Sequence, residues 1–594
     1  MGMNKVKNIK INSVVLLLFL VITISMIYPL AATGRIAAQV DWLFHAARVE
    51  QIYRNLSEGS LFTYIATSTF QSTGVGSFLF YPVIFIYPWA WLRFITTPVV
   101  AYYIWVGLFM FMTFVISYFS MLSFSKGKYL RSFIFALLYT LAPYRLYLGP
   151  ASFVVGEYIA STFIPLAFLG FYHIICGDKR KWYWLTIGMT LLAYSHMLSI
   201  LLISEIFTVL LLVALFTGKF DLKRSKYLLI SAIATVILAL PVIIPLLTDY
   251  FGKGITATYP GVGMIQNLGE VFTTSLSNTA TSSSIGIVLL LVLLSGWRWI
   301  KQDSLEVPLY ILAICLTLIS TAIFPWKSFN GSFLALLQLP YRYLIYVVLL
   351  TAILGSRIIV ELLTKYGALK TNWRRAMTIL ALLLVSLISY YGSISNLSDR
   401  LANTAKNKET IIKPLKADEQ AILYAGILTN KNYQAQFDYW AQTGEVDYFP
   451  TKTLKKNHFL EYIIMDWDKA YRTNKDVYSI ISGVTRINGQ EMHIKPYASA
   501  NALQYQVELA RKSKVDLPVV HYAHTAVTVD GKPAAYQNSK RNTVQLDLEK
   551  GKHTVIVGYL PSKVFFIGTK IALIGWGLLL IWIICQTCYF KRKN

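Results

Sequence analysis

Ser13-Val-Val-Leu-Leu-Leu-Phe-Leu-Val-Ile-Thr-Ile-Ser-Met-Ile-Tyr-Pro-Leu-Ala31 contains no charged residue, and Asp41-Trp-Leu-Phe-His45-Ala-Ala-Arg48 follows it closely. A helix of about 20 apolar residues covers the roughly 30 Å hydrocarbon core of a bilayer. The first stretch therefore predicts a membrane span, and the second a polar segment just outside it. Lys5, Lys7 and Lys10 precede the apolar run, as in a secretory signal. More membrane follows, so the run is expected to stay as an anchor.

Working outward, comparable apolar runs occur near 99–121, 131–148, 153–175, 182–198, 199–216, 227–248, 283–300, 306–324, 334–355, 374–392 and 564–586. With the first, they predict a mostly α polytopic membrane protein of about 12 transmembrane helices. Composition agrees, because the chain is 55% hydrophobic and only 14% charged, against about 25% charged in soluble domains. Disorder, collagen and a small disulfide scaffold are excluded. The formal charge is +26, but the basic residues sit in short clusters between apolar runs. That pattern fits cytoplasmic loops and a lipid partner, and it argues against nucleic acid. Residues 78–97 hold two prolines and several Tyr and Trp, which suits an interfacial or re-entrant element. Leaving them out of the span count lets every basic loop and both termini face the cytoplasm.

On that topology the outside holds loops 32–77 and 249–282 and a polar domain of 393–563. The chain is expected to divide into a 1–392 membrane module, this extracytoplasmic domain, and a 564–594 helix with a basic tail. Thr525-Ala-Val-Thr-Val-Asp530-Gly531-Lys reads as an alternating strand entering a turn. Thr543 to Leu548 and Thr554 to Tyr559 flank a second turn, so a β-rich, sandwich-like domain is predicted. Lys452, Lys455 and Lys456 on this domain could attract an anionic polymer, although such runs are more often a solvated face. The four cysteines lie in or beside apolar segments. Disulfides are not expected to hold the polar domain together, and Cys585-x-x-Cys588 lacks a second ligand pair for zinc.

The apolar body has only twelve acids. Asp41, Glu50, Glu58, Glu157, Asp249 and Glu270 fall at the outer face, and Glu205 falls within a span. Helical spacing places Asp41, His45 and Arg48 on one face, with Trp42, Val49, Tyr53 and Leu56 on another. Such a trio can move a proton and hold an anion, while an Asp N-cap before a solvated polar face accounts for the spacing equally well. Arg145 and Glu157 flank a predicted outer turn, His196 ends an outward span, and Gln338, Tyr341 and Arg342 lie near another outer end. Arg342 is the hardest of these to leave without a role, because a charge within a span costs roughly 2.5–3.5 kcal/mol at the centre.

Asp41-x-x-x-His45-x-x-Arg48, Gly74-Val-Gly76, Phe80-Tyr81-Pro82, Ala142-Pro-Tyr-Arg145, Gly156-Glu157-Tyr, Ser195-His196 and Leu337-Gln-Leu-Pro-Tyr-Arg342 resemble a group of bacterial membrane proteins. That group is labelled 6-pyruvoyl-tetrahydropterin-synthase-related, and the chain is also similar to YfhO-type membrane proteins. Both groups resemble the GT-C superfamily of multi-span glycosyltransferases. The resemblance covers roughly 13–355. It implies a polyprenyl-phosphate-linked sugar as donor, an envelope polymer or glycolipid as acceptor, and a catalytic carboxylate in the first outer loop, the place of Asp41. Many GT-C enzymes carry an acidic pair there, whereas Trp42 follows Asp41 here, so a divalent metal stays an open possibility and no metal ligand is assigned. Glu157 is the candidate second carboxylate. His45, Arg48, Arg145, His196 and Arg342 are candidates for the phosphate, and Trp42, Tyr81, Gln338 and Tyr341 for the groove. A carboxylate taking the acceptor hydroxyl proton gives an inverting displacement. A transporter or flippase, or a non-catalytic envelope-assembly protein with a glycan-binding outer domain, are the competing readings.

Overall fold

The computed structural model describes residues 2–38, 41–255, 261–301, 305–403, 426–437, 446–454 and 474–593. Lys455, Lys456 and residues 404–413 of the polar run lie outside them. The elements used below are α1 (Gly2–Ala31), α2 (Trp42–Ser57), α3 (Pro98–Phe124), α4 (Val155–Ile175), α5 (Tyr183–Ala193), α6 (Met197–Phe216), α7 (Glu306–Ile319), α8 (Leu344–Lys365), α9 (Asn372–Asn403) and α10 (Lys563–Lys593).

Among the described residues, seven helices are long and apolar enough to cross a membrane, or eight if Leu222–Leu238 and Leu240–Tyr250, bent by 64°, form one span. The expected count of twelve is not confirmed. The remaining apolar runs do form helices, but Tyr129–Thr140, Ile287–Arg298 and Glu306–Ile319 are short, and α5 has 11 residues. At 1.5 Å per residue such helices fall well short of the hydrocarbon thickness. An apolar run reports that a segment avoids water, not that it crosses. Leu17, Ile24, Phe216, Ile574 and Leu578 stay exposed on the long helices, as expected where lipid takes the place of protein contacts. Residues 78–97 form only the short turns Ser77–Phe80, Ile84–Ile86 and Tyr87–Leu92. Trp91, Phe94 and Ile95 are exposed there while Ile86 and Trp89 are buried. The segment is not a spanning helix.

The chain falls into two compact units: residues 1–36, 102–235 and 261–407 in one, and 37–101, 236–260 and 408–594 in the other. Residues 37–101 thus cluster with the part of the chain that carries the strands, and 393–407 with the other unit.

In the first unit, α4 and α5 pack as a close pair. A Cβ on Gly170 would lie 2.0 Å from the backbone nitrogen of Leu185, and one on Gly188 would lie 2.6 Å from the Cα of Ala167. Small residues let membrane helices approach to backbone contact. Gly170→Ala is expected to destabilise the purified protein by about 1–3 kcal/mol. Gly577→Ala, with nothing within 4 Å of the new methyl, should leave the melting temperature unchanged. Equal melting of the two variants would refute the close-packing account.

In the second unit, ten strands form two five-stranded antiparallel sheets: β1 (Val484–Ile487), β2 (Gln490–His493), β3 (Tyr497–Ser499), β4 (Ala502–Leu509), β5 (Ser513–Val520), β6 (Thr525–Val529), β7 (Lys532–Pro533), β8 (Gln537–Asn538), β9 (Thr543–Leu548) and β10 (Gly551–Tyr559). The orders are β8-β9-β5-β1-β2 and β3-β4-β10-β6-β7. β4 and β10 pair from Leu509↔Gly551 to Ala502↔Gly558. Alternate residues Leu503, Tyr505, Val507 and Leu509 meet Val515, Leu517, Val519, Val544, Leu546, Val555 and Val557 in one core, the period-2 burial of a sandwich. Asp530 and Gly531 both have positive φ, 51° and 78°, as a two-residue type I′ hairpin requires. The second expected turn behaves otherwise. It carries the chain from β9 in one sheet to β10 in the other.

Bonds between residues far apart in sequence attach loop 58–81 to this sandwich. The Ala500 amide donates to the Glu58 carboxylate at 2.7 Å. Asn501 accepts from the Tyr64 amide at 2.6 Å and donates to the Phe62 carbonyl at 2.6 Å. The Val520 amide donates to the Thr73 carbonyl at 2.9 Å. A Cβ on Gly74 would lie 2.7 Å from Val519.

Candidate functional site

The sequence candidates separate into two groups, one in each unit. Asp41, Trp42, His45, Arg48 and Tyr81 belong to the unit that holds the sandwich. Arg145, Glu157, His196, Gln338, Tyr341 and Arg342 belong to the other.

In the sandwich unit, Asp41 stands at the N-cap position of α2, yet its side chain makes no capping bond. The cap reading of this residue therefore fails. The carboxylate is half-buried, and the Asp41 carbonyl takes the His45 amide at 3.1 Å. The face carrying His45 and Arg48 is not solvated either. His45 is 1% exposed and Arg48 0%, so α2 is enclosed on its polar and apolar sides alike. Enclosure demands partners for the polar groups. Arg48 donates to the Tyr81 carbonyl at 2.7 Å and the Pro82 carbonyl at 3.0 Å, and meets Nδ1 of His45 at 3.2 Å. Its guanidinium lies 4.7 Å from the centre of the Tyr81 ring. Among the described residues Arg48 forms no ion pair, and its Nε has no hydrogen-bond acceptor. Burial lowers the guanidinium to about 10, with Tyr81 and Tyr448 opposing the shift, so it remains charged at neutral pH.

Trp42 is enclosed rather than lining open space. Its indole N–H donates to Gln436 at 2.9 Å, and its ring lies 5.5 Å from that of Trp89. Tyr81 alone of these two groove candidates keeps exposed surface. Farther along α2, Gln51 organises the next loop by accepting from the Thr67, Ser68 and Thr69 amides at 2.9, 2.8 and 3.0 Å. Glu50 pairs with Arg54 at 2.9 Å and Arg93 at 2.8 Å. Burial pulls the Arg93 guanidinium down, but the nearby Tyr433 and Glu50 outweigh it and leave it raised.

The other unit brings Glu157 and Arg342 together at 2.5 Å. Arg342 also donates to the Leu337 carbonyl at 2.8 Å and to Gln338 at 3.3 Å, and Tyr144 donates to Glu157 at 3.3 Å. The rings of Tyr144 and Tyr147 lie 6.4 and 6.2 Å from that of Tyr341. Arg145 has different partners. It donates to Thr113, to Thr162 at 3.2 Å, and lies over the Tyr158 ring at 4.7 Å. Its Nε and Nη1 lack acceptors among the described residues.

Nδ1 of His196 lies 2.9 Å from the Ser199 hydroxyl. Loss of hydration, and secondarily the charge of Arg342, lowers this imidazole to about 3. The folded chain thus leaves the ring neutral where the unfolded chain protonates near 6.5. Its stabilising contribution is complete above pH 6.5 and is lost as the pH falls toward 3. Acidification from pH 7 to 5 should lower the melting temperature of the wild type more steeply than that of His196→Gln. Parallel slopes would show that His196 does not contribute.

A pairing absent from the sequence reading occurs in the sandwich unit. Asp249, with its side chain fully enclosed, lies 2.9 Å from Nδ1 of His524 and accepts from Tyr559 at 3.1 Å and Thr248 at 2.7 Å. A carboxylate on Nδ1 fixes the orientation of an imidazole. The partners are 275 residues apart, so no local pattern could announce them. Among the described residues no three His, Cys, Asp or Glu side chains gather as a metal site.

No protein-family profile matches this chain, and no curated protein matches it.

Proposed function

We propose that the protein is a membrane glycosyltransferase that moves a sugar from a polyprenyl-phosphate carrier to an extracytoplasmic envelope polymer or glycolipid. Asp41 is the general base of an inverting displacement. The observation that carries this reading is a carboxylate that opens α2 without capping it, followed within two turns by His45 and by Arg48, which has no carboxylate partner among the described residues. An acceptor hydroxyl is a weak nucleophile until its proton is taken as the new carbon–oxygen bond forms. A half-buried carboxylate with no capping role is suited to that task. Arg48, fully buried, supplies positive charge and an Nε–H donor with no acceptor among the described residues, the chemistry that stabilises a departing phosphate. His45 holds Arg48 in place through Nδ1, and Tyr81 gives the cluster its aromatic surface.

The test compares envelope polymers and glycolipids by mass spectrometry from cells carrying the wild type, Asp41→Asn or a deletion, at equal membrane abundance of the two proteins. The same lost sugar modification in Asp41→Asn and the deletion supports transfer through Asp41. A modification kept by Asp41→Asn and lost in the deletion sinks the base assignment and favours transport or assembly.

A further inference from the structure

The first unit contains a cavity of about 610 Å³ that the transferase reading leaves unused. The volume falls within the roughly 300–1,000 Å³ of sites that enclose a small molecule. Its walls are almost wholly apolar side chains of α4, α6 and α7, including Phe171, Leu210 and Leu312. All three elements are apolar helices, so the occupant must come from lipid rather than water.

The two ends of the cavity differ in charge. At one end Glu205 accepts from the Tyr343 hydroxyl at 2.8 Å. At the other are Cys176, Thr217 and Lys219. Glu205 and Phe216 are eleven residues apart on α6, about 17 Å along its axis, the scale of an extended acyl chain. Basic residues gather at the Lys219 end. Arg224 donates to the carbonyls of Ile174 and Gly177 at 3.0 Å each, which holds the loop of Lys219, Lys223 and Lys226 against the end of α4 that leads to Lys179 and Lys181. Among the described residues near this end, Asp178 pairs with Arg180 at 2.9 Å, Asp221 accepts from the Lys223 amide at 2.9 Å, and Glu306 pairs with Arg357 at 2.6 Å. A phosphate is attracted to this end, since Lys219 is the one cation among the described side chains that line the cavity.

We propose that the cavity holds one acyl chain of an anionic phospholipid, with the lipid phosphate at Lys219 and the chain end toward Glu205 and Tyr343. This does not rest on the transferase reading, and Asp41 has no part in it.

The test uses the full-length protein, stripped of lipid in detergent and titrated with phosphatidylglycerol or phosphatidylcholine under native mass spectrometry. A phosphatidylglycerol bearing a diazirine on its acyl chain maps the contact by cross-linking. One equivalent of phosphatidylglycerol should bind at least about fivefold more tightly than phosphatidylcholine, since each lysine near an anionic lipid is worth about that factor. Cross-links should concentrate on α6 and α7. Lys219→Glu, an exposed change, should abolish the preference while the protein stays monodisperse, and Ala214→Trp should fill the cavity and remove the bound equivalent. If Ala214→Trp fails to fold, Lys219→Glu and the cross-link map decide. Labelling spread evenly over the apolar helices, or a lipid preference unchanged by Lys219→Glu, overturns the proposal.

Discussion

Asp41→Asn is expected to fold normally and to transfer sugar about 10²–10⁴-fold more slowly than the wild type, the usual contribution of a positioned general base. The Asp41 side chain makes no capping bond, so the near-isosteric amide removes none from the start of α2. The backbone bond from the His45 amide to the Asp41 carbonyl is unaffected. On the proposed function, what disappears is the basic carboxylate that would take the acceptor proton, in a side chain of almost the same shape. The measurement is the initial rate of transfer from a synthetic polyprenyl-phosphate sugar by purified protein in vesicles, with melting temperature as the folding control. A rate within threefold of the wild type, at unchanged stability, would remove Asp41 from the chemistry.

Arg342→Met should produce the largest loss of stability, about 3–5 kcal/mol, because it strands the Glu157 carboxylate in a buried site. Glu157 is 5% exposed and Arg342 9%. Once Arg342 is gone, the hydrogen bond given to Glu157 by Tyr144, at 3.3 Å, remains. The Leu337 carbonyl loses its guanidinium donor as well. The double variant Glu157→Gln, Arg342→Met should recover part of that loss, since neither charge is then left unpaired. Melting in detergent distinguishes the outcomes. Additive losses in the double variant would show that the two side chains contribute separately.

The membrane body was legible in the sequence because a run of apolar residues has a local cause and a local effect. Every apolar run forms a helix, and residues 78–97 do not span, as their prolines and interfacial aromatics imply. Run length does not separate a crossing helix from a short buried one, and among the described residues seven or eight of the helices are long and apolar enough to cross. The sandwich was equally local: alternation in β6, β9 and β10, and an Asp530-Gly531 pair whose positive φ angles close a tight hairpin.

The site was legible only as candidates. Asp41, His45 and Arg48 lie within two helical turns, so spacing alone places them together. Spacing could not show that the Asp41 side chain caps nothing, or that the polar face of α2 is enclosed rather than wet. Glu157 with Arg342, 185 residues apart, Asp249 with His524, and the joining of loop 58–81 to the sandwich all depend on long-range contacts. The sequence by itself determined which segments leave water and which alternate as strands, since hydropathy and turn chemistry act between near neighbours. Only the tertiary structure decided which charges meet and which stay unpaired, because the energy of a buried charge is set by whatever side chain the fold brings beside it.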